Sequence, residues 1–396
     1  MLKKFINLTL TLIITLIFIS QVEAKEAVKP LFGLSKLACN EVDDYLNQHW
    51  EELYMSDEAA KNYPKLQKAI NKYTKEQHND AMKRQKKYRE DAMELFKEVP
   101  EANHQFYDRT ELIICRADSV VLSVLENSED YMGGAHGMYG YFGVNFDSET
   151  GKILKITDVC TNTEFLVKAI LTRLHEDSPE SPFEGAEEYI TKQISENTIK
   201  FNIEPKGVSF HFNPYEIGCY AEGLFTATLL FSEYPALFKM KYTQTPEIYC
   251  QSLPLYTTNI VSLKGDEKNF IQFETNDEGL YKIACAEGTV EDKTGLKGVK
   301  SLLLVHMSDD KSYLYVDGYI EDKGRRLHVY KISDNKINLV FDLPYSFKNI
   351  GTRKYETWWI PTDTNNIQFD SMEPVGDKNL TSHFGTINND GSLSFG

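Results

Sequence analysis

The chain has 396 residues, of which 41% are hydrophobic and 12% aromatic, and its formal net charge is −16. This length exceeds that of one small domain, so we expect two or three domains. The composition is typical of a globular protein and excludes a disordered or fibrous chain. An acidic surface repels nucleic acids and anionic membranes and favours encounters with basic molecules, so no nucleic-acid partner is predicted.

The N-terminus has the features of a secretory signal peptide. Lys3 and Lys4 precede an apolar run over residues 5–19, and Val-Glu-Ala at residues 22–24 places small residues where signal peptidase cleaves. The apolar run is short for a membrane span of about 20 residues, although an uncleaved anchor is the alternative. We therefore predict a signal peptide over residues 1–24, a mature chain without a transmembrane anchor, and export to the periplasm or the extracellular space.

Cysteine usage leaves the redox state open. Six cysteines follow the predicted cleavage site, and an even number in an exported protein is compatible with disulfide bonds. No Cys-x-x-Cys pair is present, so the sequence supports neither a zinc ribbon nor a thioredoxin-like redox site. Several disulfides and none are both compatible with this pattern.

The sequence predicts helices followed by strands in the first part of the mature chain. Apolar residues at helical spacing predict a helix over residues 40–55. Ser56 is typical of a helix cap and opens a charged helical stretch that ends at Pro100. Beyond residue 104, short runs of β-branched and aliphatic residues predict strands, at residues 110–115, 119–125 and 139–146.

Helices and strands alternate in the next part of the chain. Thr161 to Glu164 fits a capping box, which predicts a helix from there, and a second helix is predicted over residues 186–196. Alternating polarity predicts a strand over residues 208–212, and another follows at 222–231. After residue 250 many short runs separated by turn signals predict strands almost throughout, as in a meander or sandwich.

Two segments of the chain resemble the RsiV-like extracytoplasmic domain family, which is known as domain of unknown function 3298 and often follows a 4163-like region. The first is YMGGAHGMYGY at residues 131–141, and the second is VSFHFNPYEIGCYAEG at residues 208–223. The resemblance implies an RsiV-like domain over residues 25–245, with a helical insertion at 57–100 and the 3298-type region at 143–240. Residues 250–396 would form a β-rich C-terminal domain.

The fold class predicted from these features is α+β. It comprises an RsiV-like α/β domain with a mixed or antiparallel sheet and two packed helices, an N-terminal helical insertion, and a C-terminal mainly-β domain.

The family resemblance also implies a type of function. Its domain is non-enzymatic; some members bind lysozyme outside the membrane and signal through a sigma factor, and others carry the domain beside a peptidoglycan deacetylase. Here only four residues precede the apolar run and no segment resembles a deacetylase. The resemblance therefore implies an envelope location and a binding role, with lysozyme or peptidoglycan as the partner, and not an anti-sigma role.

The candidate binding residues lie in the two resembling segments. Glycines let the backbone approach a ligand closely, and tyrosine is a favoured interface anchor because it buries a large area at low entropic cost. The alternative is that the glycines form a structural bend and the tyrosines pack in the core. The predicted binding residues are Gly133, Gly134, His136, Tyr139, Asn213, Tyr215, Glu216 and Tyr220.

We predict no catalytic residue, metal site or cofactor. His136, His211 and Glu216 do not have the spacing of metal ligands. The function predicted is that of an exported, non-enzymatic envelope protein that binds a protein or cell-wall ligand, with lysozyme as the candidate. The alternatives are a hydrolase acting on peptidoglycan or another glycan, for which Glu216, Glu222 and His136 are the candidate residues, and a structural envelope protein.

Overall fold

The computed structural model describes residues 27–395 apart from short gaps, at 102–104, 256, 264–267, 277–278, 286–287, 292–293, 309–310, 322–323, 334–335, 347–354 and 372–380. At residues 355–359, 369–371 and 381–383 it describes the backbone alone. The predicted signal peptide lies outside the described residues. Within them, no helix is both long and apolar enough to cross a membrane.

Six α-helices and one short 3-10 helix lie within the described residues. The α-helices are α1 (Asp57–Asn62), α2 (Pro64–Glu98), α3 (Ile156–Val159), α4 (Thr163–Asp177), α5 (Ala186–Glu196) and α6 (Met240–Thr243), and the 3-10 helix is Tyr220–Glu222.

The strands of the first 253 residues are β1 (Leu34–Val42), β2 (Leu46–Met55), β3 (Phe106–Ala117), β4 (Val121–Tyr131), β5 (Met138–Asp147), β6 (Phe201–Ile203), β7 (Gly207–Phe212), β8 (Phe225–Leu230) and β9 (Tyr249–Leu253). Those that follow are β10 (Thr258–Ser262), β11 (Lys268–Thr275), β12 (Tyr281–Cys285), β13 (Gly288–Glu291), β14 (Lys297–Ser308), β15 (Lys311–Ile320), β16 (Gly324–Ser333), β17 (Lys336–Leu343), β18 (Tyr345–Ser346), β19 (Tyr355–Trp359), β20 (Ile367–Ser371), β21 (Thr381–Ile387) and β22 (Leu393–Phe395). The predicted α+β class is confirmed.

A six-stranded mixed sheet forms the N-terminal layer, in the order β19-β1-β2-β3-β4-β5. Its strands pair antiparallel except β2 and β3, which are parallel. Parallel neighbours need a crossover connection, and α1 and α2 supply it. Ser56 caps α1 as predicted, because its Oγ accepts a hydrogen bond from the Ala59 N–H at 3.3 Å.

The helix predicted over residues 40–55 is wrong, because this segment forms most of the β1–β2 hairpin. Two polar residues of β2 are buried beneath α2, where the Gln48 amide donates to the Ala81 carbonyl at 2.9 Å and Glu52 lies 2.8 Å from the His78 ring. The buried side of this strand therefore contains polar residues. That hides the two-residue period by which a strand is recognised in a sequence.

A second layer lies against the other side of β4 and β5. The three-stranded sheet β6-β7-β8 packs with α4 and α5 around one apolar core. Both helices were predicted, and α5 has the predicted bounds. The N-cap of α4 is Asn162, whose side chain accepts from the Phe165 N–H at 2.9 Å, so the cap lies one residue after the predicted cap, Thr161.

Buried polar groups join the two layers. The Asn145 amide donates to the Phe201 carbonyl at 2.8 Å, and the Asn202 amide donates to Ser123 Oγ at 3.0 Å. His211 lies beside this network, with Nε2 3.1 Å from Asn202 Oδ1, and burial lowers the pKa of its imidazole to about 3. Such networks specify one docking geometry, since each buried group needs its partner.

The C-terminal part is mainly β, as predicted. Within the described residues it contains a five-stranded sheet, β17-β16-β15-β14-β9, and two four-stranded sheets, β10 to β13 and β18-β20-β21-β22. One of its strands crosses to the N-terminal layer, where β19 pairs antiparallel with β1. The six cysteines all lie in the described part of the chain, and no disulfide bond joins them there.

Candidate functional site

Two segments that are far apart in sequence meet at one end of the six-stranded sheet. The loop between β4 and β5 carries His136, whose ring stacks on that of Tyr220 with centroids 3.8 Å apart. The Tyr220 hydroxyl donates to the Gly137 carbonyl at 2.8 Å. Tyr139 and Tyr215 also contact Tyr220, with ring centroids 5.8 and 5.7 Å away. We call His136, Tyr139, Tyr215 and Tyr220 the aromatic surface.

A strained turn projects Tyr215 from this surface. The Glu216 N–H donates to the Asn213 carbonyl at 3.1 Å, which closes a four-residue turn with Pro214 at its second position. Tyr215, at the third position, has φ +71°, a conformation that usually selects glycine. Its side chain is nevertheless 60% exposed. A non-glycine residue in this region costs about 1 kcal/mol or more, and such strain clusters at functional sites.

Asn213 connects the turn to the edge of the sheet. Its side-chain oxygen accepts from the Tyr141 N–H of β5 at 2.8 Å. The Asn213 side chain lies directly over Gly140, so that a Cβ at residue 140 would be 2.6 Å from the amide nitrogen. Asn213 was predicted as a binding residue, and its contacts in the structure hold the turn against β5.

Replacing Gly140 with alanine is expected to displace Asn213 and to lower the free energy of unfolding by about 1–3 kcal/mol, the cost of leaving a buried backbone donor without its partner. Gly134→Ala is the matched control. A Cβ at residue 134 would meet only the His136 carbonyl, at 3.8 Å, so we expect a change within about 0.5 kcal/mol. Urea denaturation measures both, and equal effects would contradict the close packing of Asn213 on Gly140.

Glu216 and Gly133 also have structural contacts. The Glu216 carboxylate forms an ion pair with Lys200, and it accepts from the Asn213 N–H at 2.9 Å. Gly133 has φ +78°, and a Cβ there would lie 2.6 Å from the Leu95 side chain, so only glycine fits. Both residues therefore position the aromatic surface, whereas Gly134 is exposed.

The sequence analysis missed three exposed apolar residues that are close in sequence to His136 and Tyr139 of the aromatic surface. Met132, Met138 and Phe142 are each exposed, and Lys200 Nζ lies 5.7 Å from the centroid of the Phe142 ring. The available signal was the density of methionine and aromatic residues in the segment 131–142. Within this segment the sequence analysis predicts only a strand that begins at residue 139.

Carboxylates surround the aromatic surface. Glu129 is directly opposite Tyr139 on β4 and is exposed, and it accepts from the Tyr107 hydroxyl at 3.0 Å. The Cys219 N–H donates to Glu222 at 2.7 Å, and this bond lowers the pKa of the Glu222 carboxyl. The surface is therefore apolar at its centre, and its edge carries carboxylates together with the cations Arg109, opposite Glu129, and Lys200.

The described part of the chain contains no group of three or more His, Cys, Asp or Glu side chains that could hold a metal ion. His211, considered with His136 and Glu216 as a ligand, is instead buried between the layers, with Thr226 Oγ1 3.1 Å from its Nδ1.

Comparison with known families identifies both segments of the site. Residues 158–232 match the family described as protein of unknown function DUF3298, and residues 39–139 match the family described as deacetylase PdaC, so the expectation that no segment resembles a deacetylase is wrong. The predicted resemblance to DUF3298 is confirmed over the first of these ranges, and the RsiV-like assignment stays a prediction. His136 and Tyr139 lie at the end of the PdaC match, and Tyr215 and Tyr220 lie within the DUF3298 match.

Two solved structures of DUF3298 proteins are similar to part of the chain. One, from Bacteroides fragilis, is 18% identical with a TM-score of 0.42, and covers 54% of this chain and 96% of its own. The other, from Pseudomonas aeruginosa, is 16% identical with a TM-score of 0.35, and covers 54% and 97%. No curated protein matches the sequence.

Proposed function

We propose that this protein is an exported, non-enzymatic envelope protein that binds a basic protein through the aromatic surface, with lysozyme as the candidate partner. The observation that carries the proposal is the exposed cluster of rings assembled from two distant segments. The matches to DUF3298 and PdaC, families typical of extracellular proteins, support the location.

The arrangement of the rings suits a protein partner. Tyrosine combines a large apolar area with few rotatable bonds, and it is enriched among the residues that dominate binding energy. The ring of Tyr215 contacts that of Tyr220, which is itself held by the Gly137 carbonyl and the His136 ring. The surface is thus organised before a partner arrives, which lowers the entropic cost of association.

The charge of the protein favours a basic partner. The net charge is −16, and Glu129 and Glu222 add exposed carboxylates beside the rings. Complementary charge accelerates encounter and contributes less to the final affinity, so the association rate should fall as salt screens it.

The carboxylates of the hydrolase alternative are less suited to catalysis. Glu216 is paired with Lys200 and the turn backbone. Glu222 has a lowered pKa, which suits a base or nucleophile but not the general acid that glycan hydrolysis also requires. These contacts support binding over hydrolysis.

Tyr215→Gly separates binding from stability. Glycine adopts φ +71° without strain, so we expect the free energy of unfolding to stay within about 1 kcal/mol of the unsubstituted protein. Loss of an anchoring ring should weaken lysozyme binding at least about tenfold. Titration calorimetry of the purified protein against lysozyme, at low and near-physiological salt, measures the affinity, and urea denaturation measures the stability.

Tyr319→Ala is the control, because Tyr319 is an exposed tyrosine of the C-terminal strand β15. Its binding should equal that of the unsubstituted protein. Absence of heat at both salt concentrations would reject lysozyme as the partner, and equal weakening by both substitutions would show non-specific adhesion.

A further inference from the structure

A cleft of about 530 Å³ separates the second layer from the first strands of the C-terminal part. One wall is the C-terminal end of α4 with the start of β8, and the other is the β10–β11 pair. The lining of the cleft combines polar and apolar side chains. Its polar residues include Glu176, Asp177, Ser178, Thr258, Lys268 and Gln272.

The β10–β11 wall presents a half-buried aromatic ring between polar groups. Thr258 is paired with Gln272 and Ile260 with Phe270, so these side chains form two adjacent cross-strand pairs. Phe270 and Gln272 line the cleft and are half-buried. Ile271, which lies between them in sequence, and Phe273, which follows Gln272, are fully buried. The pleat therefore places the ring of Phe270 on the cleft side. Beside it lies the Gln272 amide, whose nitrogen donates to Glu274 Oε1 at 2.7 Å.

An ion pair joins the two walls of the cleft. Lys268 Nζ of β11 lies 3.2 Å from Asp177 Oδ1 at the end of α4. The neighbouring Glu176 carboxylate is paired with Arg173 at 2.9 Å. Arg173 also pairs with Glu233, so three carboxylates face two cations around this end of the cleft, which carries a small excess of negative charge.

We propose that this cleft binds a neutral oligosaccharide. A pyranose ring presents an apolar C–H face, which packs on an aromatic ring, and a perimeter of hydroxyls, which pair with amides, carboxylates and hydroxyls. Phe270, Gln272, Thr258 and Asp177 supply these groups from both walls. A volume of this size lies within the range of small-ligand sites. The small excess of carboxylates disfavours polyanionic glycans, and the polar lining disfavours lipids.

The proposal is independent of the aromatic surface. The cleft shares no residue with it, so a glycan and a protein partner could be bound together.

Titration calorimetry of the purified protein with tetra-N-acetylchitotetraose, cellotetraose and maltotetraose, without lysozyme, tests the site. We expect at least one to bind with a Kd between about 10 µM and 1 mM. Phe270→Ala should weaken that binding at least about tenfold and Gln272→Ala about threefold or more. Tyr319→Ala, which removes an aromatic ring outside the cleft, should leave it unchanged.

Thermal denaturation confirms that each variant is folded, and lysozyme binding in the Phe270→Ala protein should equal that of the unsubstituted protein. Failure of all three oligosaccharides to bind at millimolar concentration would overturn the proposal. So would a folded Phe270→Ala protein with unchanged affinity, or tighter binding of heparin than of the neutral sugars.

Discussion

Replacing Arg116 with alanine is expected to lower the free energy of unfolding by about 3–5 kcal/mol, because it leaves a buried carboxylate without its cation. Arg116 is only 2% exposed, and its Nε lies 2.7 Å from Asp118 Oδ2. The same guanidinium donates to the carbonyls of Tyr242 at 2.7 Å and Gln244 at 2.5 Å. It therefore holds the segment that leads from the second layer into β9.

Two variants give this prediction its controls. Arg116→Lys retains the charge, but its single ammonium group replaces a guanidinium that donates to four acceptors, the fourth being the Glu204 carbonyl at 3.5 Å. We therefore expect an intermediate loss of stability. Lys168→Ala removes a cation from an exposed pair with Glu164, and surface pairs of this kind contribute about 0–1 kcal/mol. Urea denaturation at pH 7.5 measures all three, and an Arg116→Ala loss no larger than that of Lys168→Ala would contradict the role assigned to Arg116.

Acidification is expected to destabilise the protein through His211. Burial lowers the pKa of this imidazole to about 3 in the folded state, against an ordinary value of 6.5. Below pH 6.5 the unfolded chain binds a proton that the folded protein does not, so the stability present above pH 6.5 is lost progressively towards pH 3. The difference between the two pKa values corresponds to up to about 5 kcal/mol.

His211→Gln removes the titration and retains a hydrogen-bonding side chain. Relative to the unsubstituted protein, the variant should lose about 1 kcal/mol at pH 7.5 and progressively less as the pH falls, with the order reversed near pH 4. His136→Gln, at an exposed histidine, is the control substitution, and at pH 7.5 it should change the free energy of unfolding by no more than about 0.5 kcal/mol. Chemical denaturation at pH 7.5, 6, 5 and 4 measures the difference, and parallel curves for His211→Gln and the unsubstituted protein would refute the prediction.

Glu204 is expected to change the stability in the opposite direction to His211 over part of this pH range. Burial raises the pKa of its carboxyl from 4.5 to about 7, although the Ser209 hydroxyl donates to it at 2.6 Å. The folded protein keeps a proton that the unfolded chain has released, so this contribution is present below pH 4.5 and is lost as the pH rises towards 7. The two effects oppose each other between pH 4.5 and 6.5, so the pH profile of each variant must be compared with that of the unsubstituted protein.

Local features of the sequence were sufficient to predict many of the helices and strands. Periodicity predicted α5 with its observed bounds, Ser56 capped its helix as expected, and Asn213-Pro214 produced the turn. Each of these signals depends on residues within a few positions of one another, where backbone preference and capping chemistry act. The two resembling segments likewise contain every residue of the aromatic surface.

The tertiary structure decided what those residues do. Residues 40–55 form part of a hairpin because Gln48 and Glu52 have partners on α2. Strand β19, from the C-terminal part of the chain, pairs with β1 of the N-terminal sheet. Glu216 is committed to Lys200, and the cleft exists only because β11 faces the end of α4. Each outcome depends on a partner distant in sequence. Local propensity carries no information about such a partner, since the contact forms only when packing brings the two segments together.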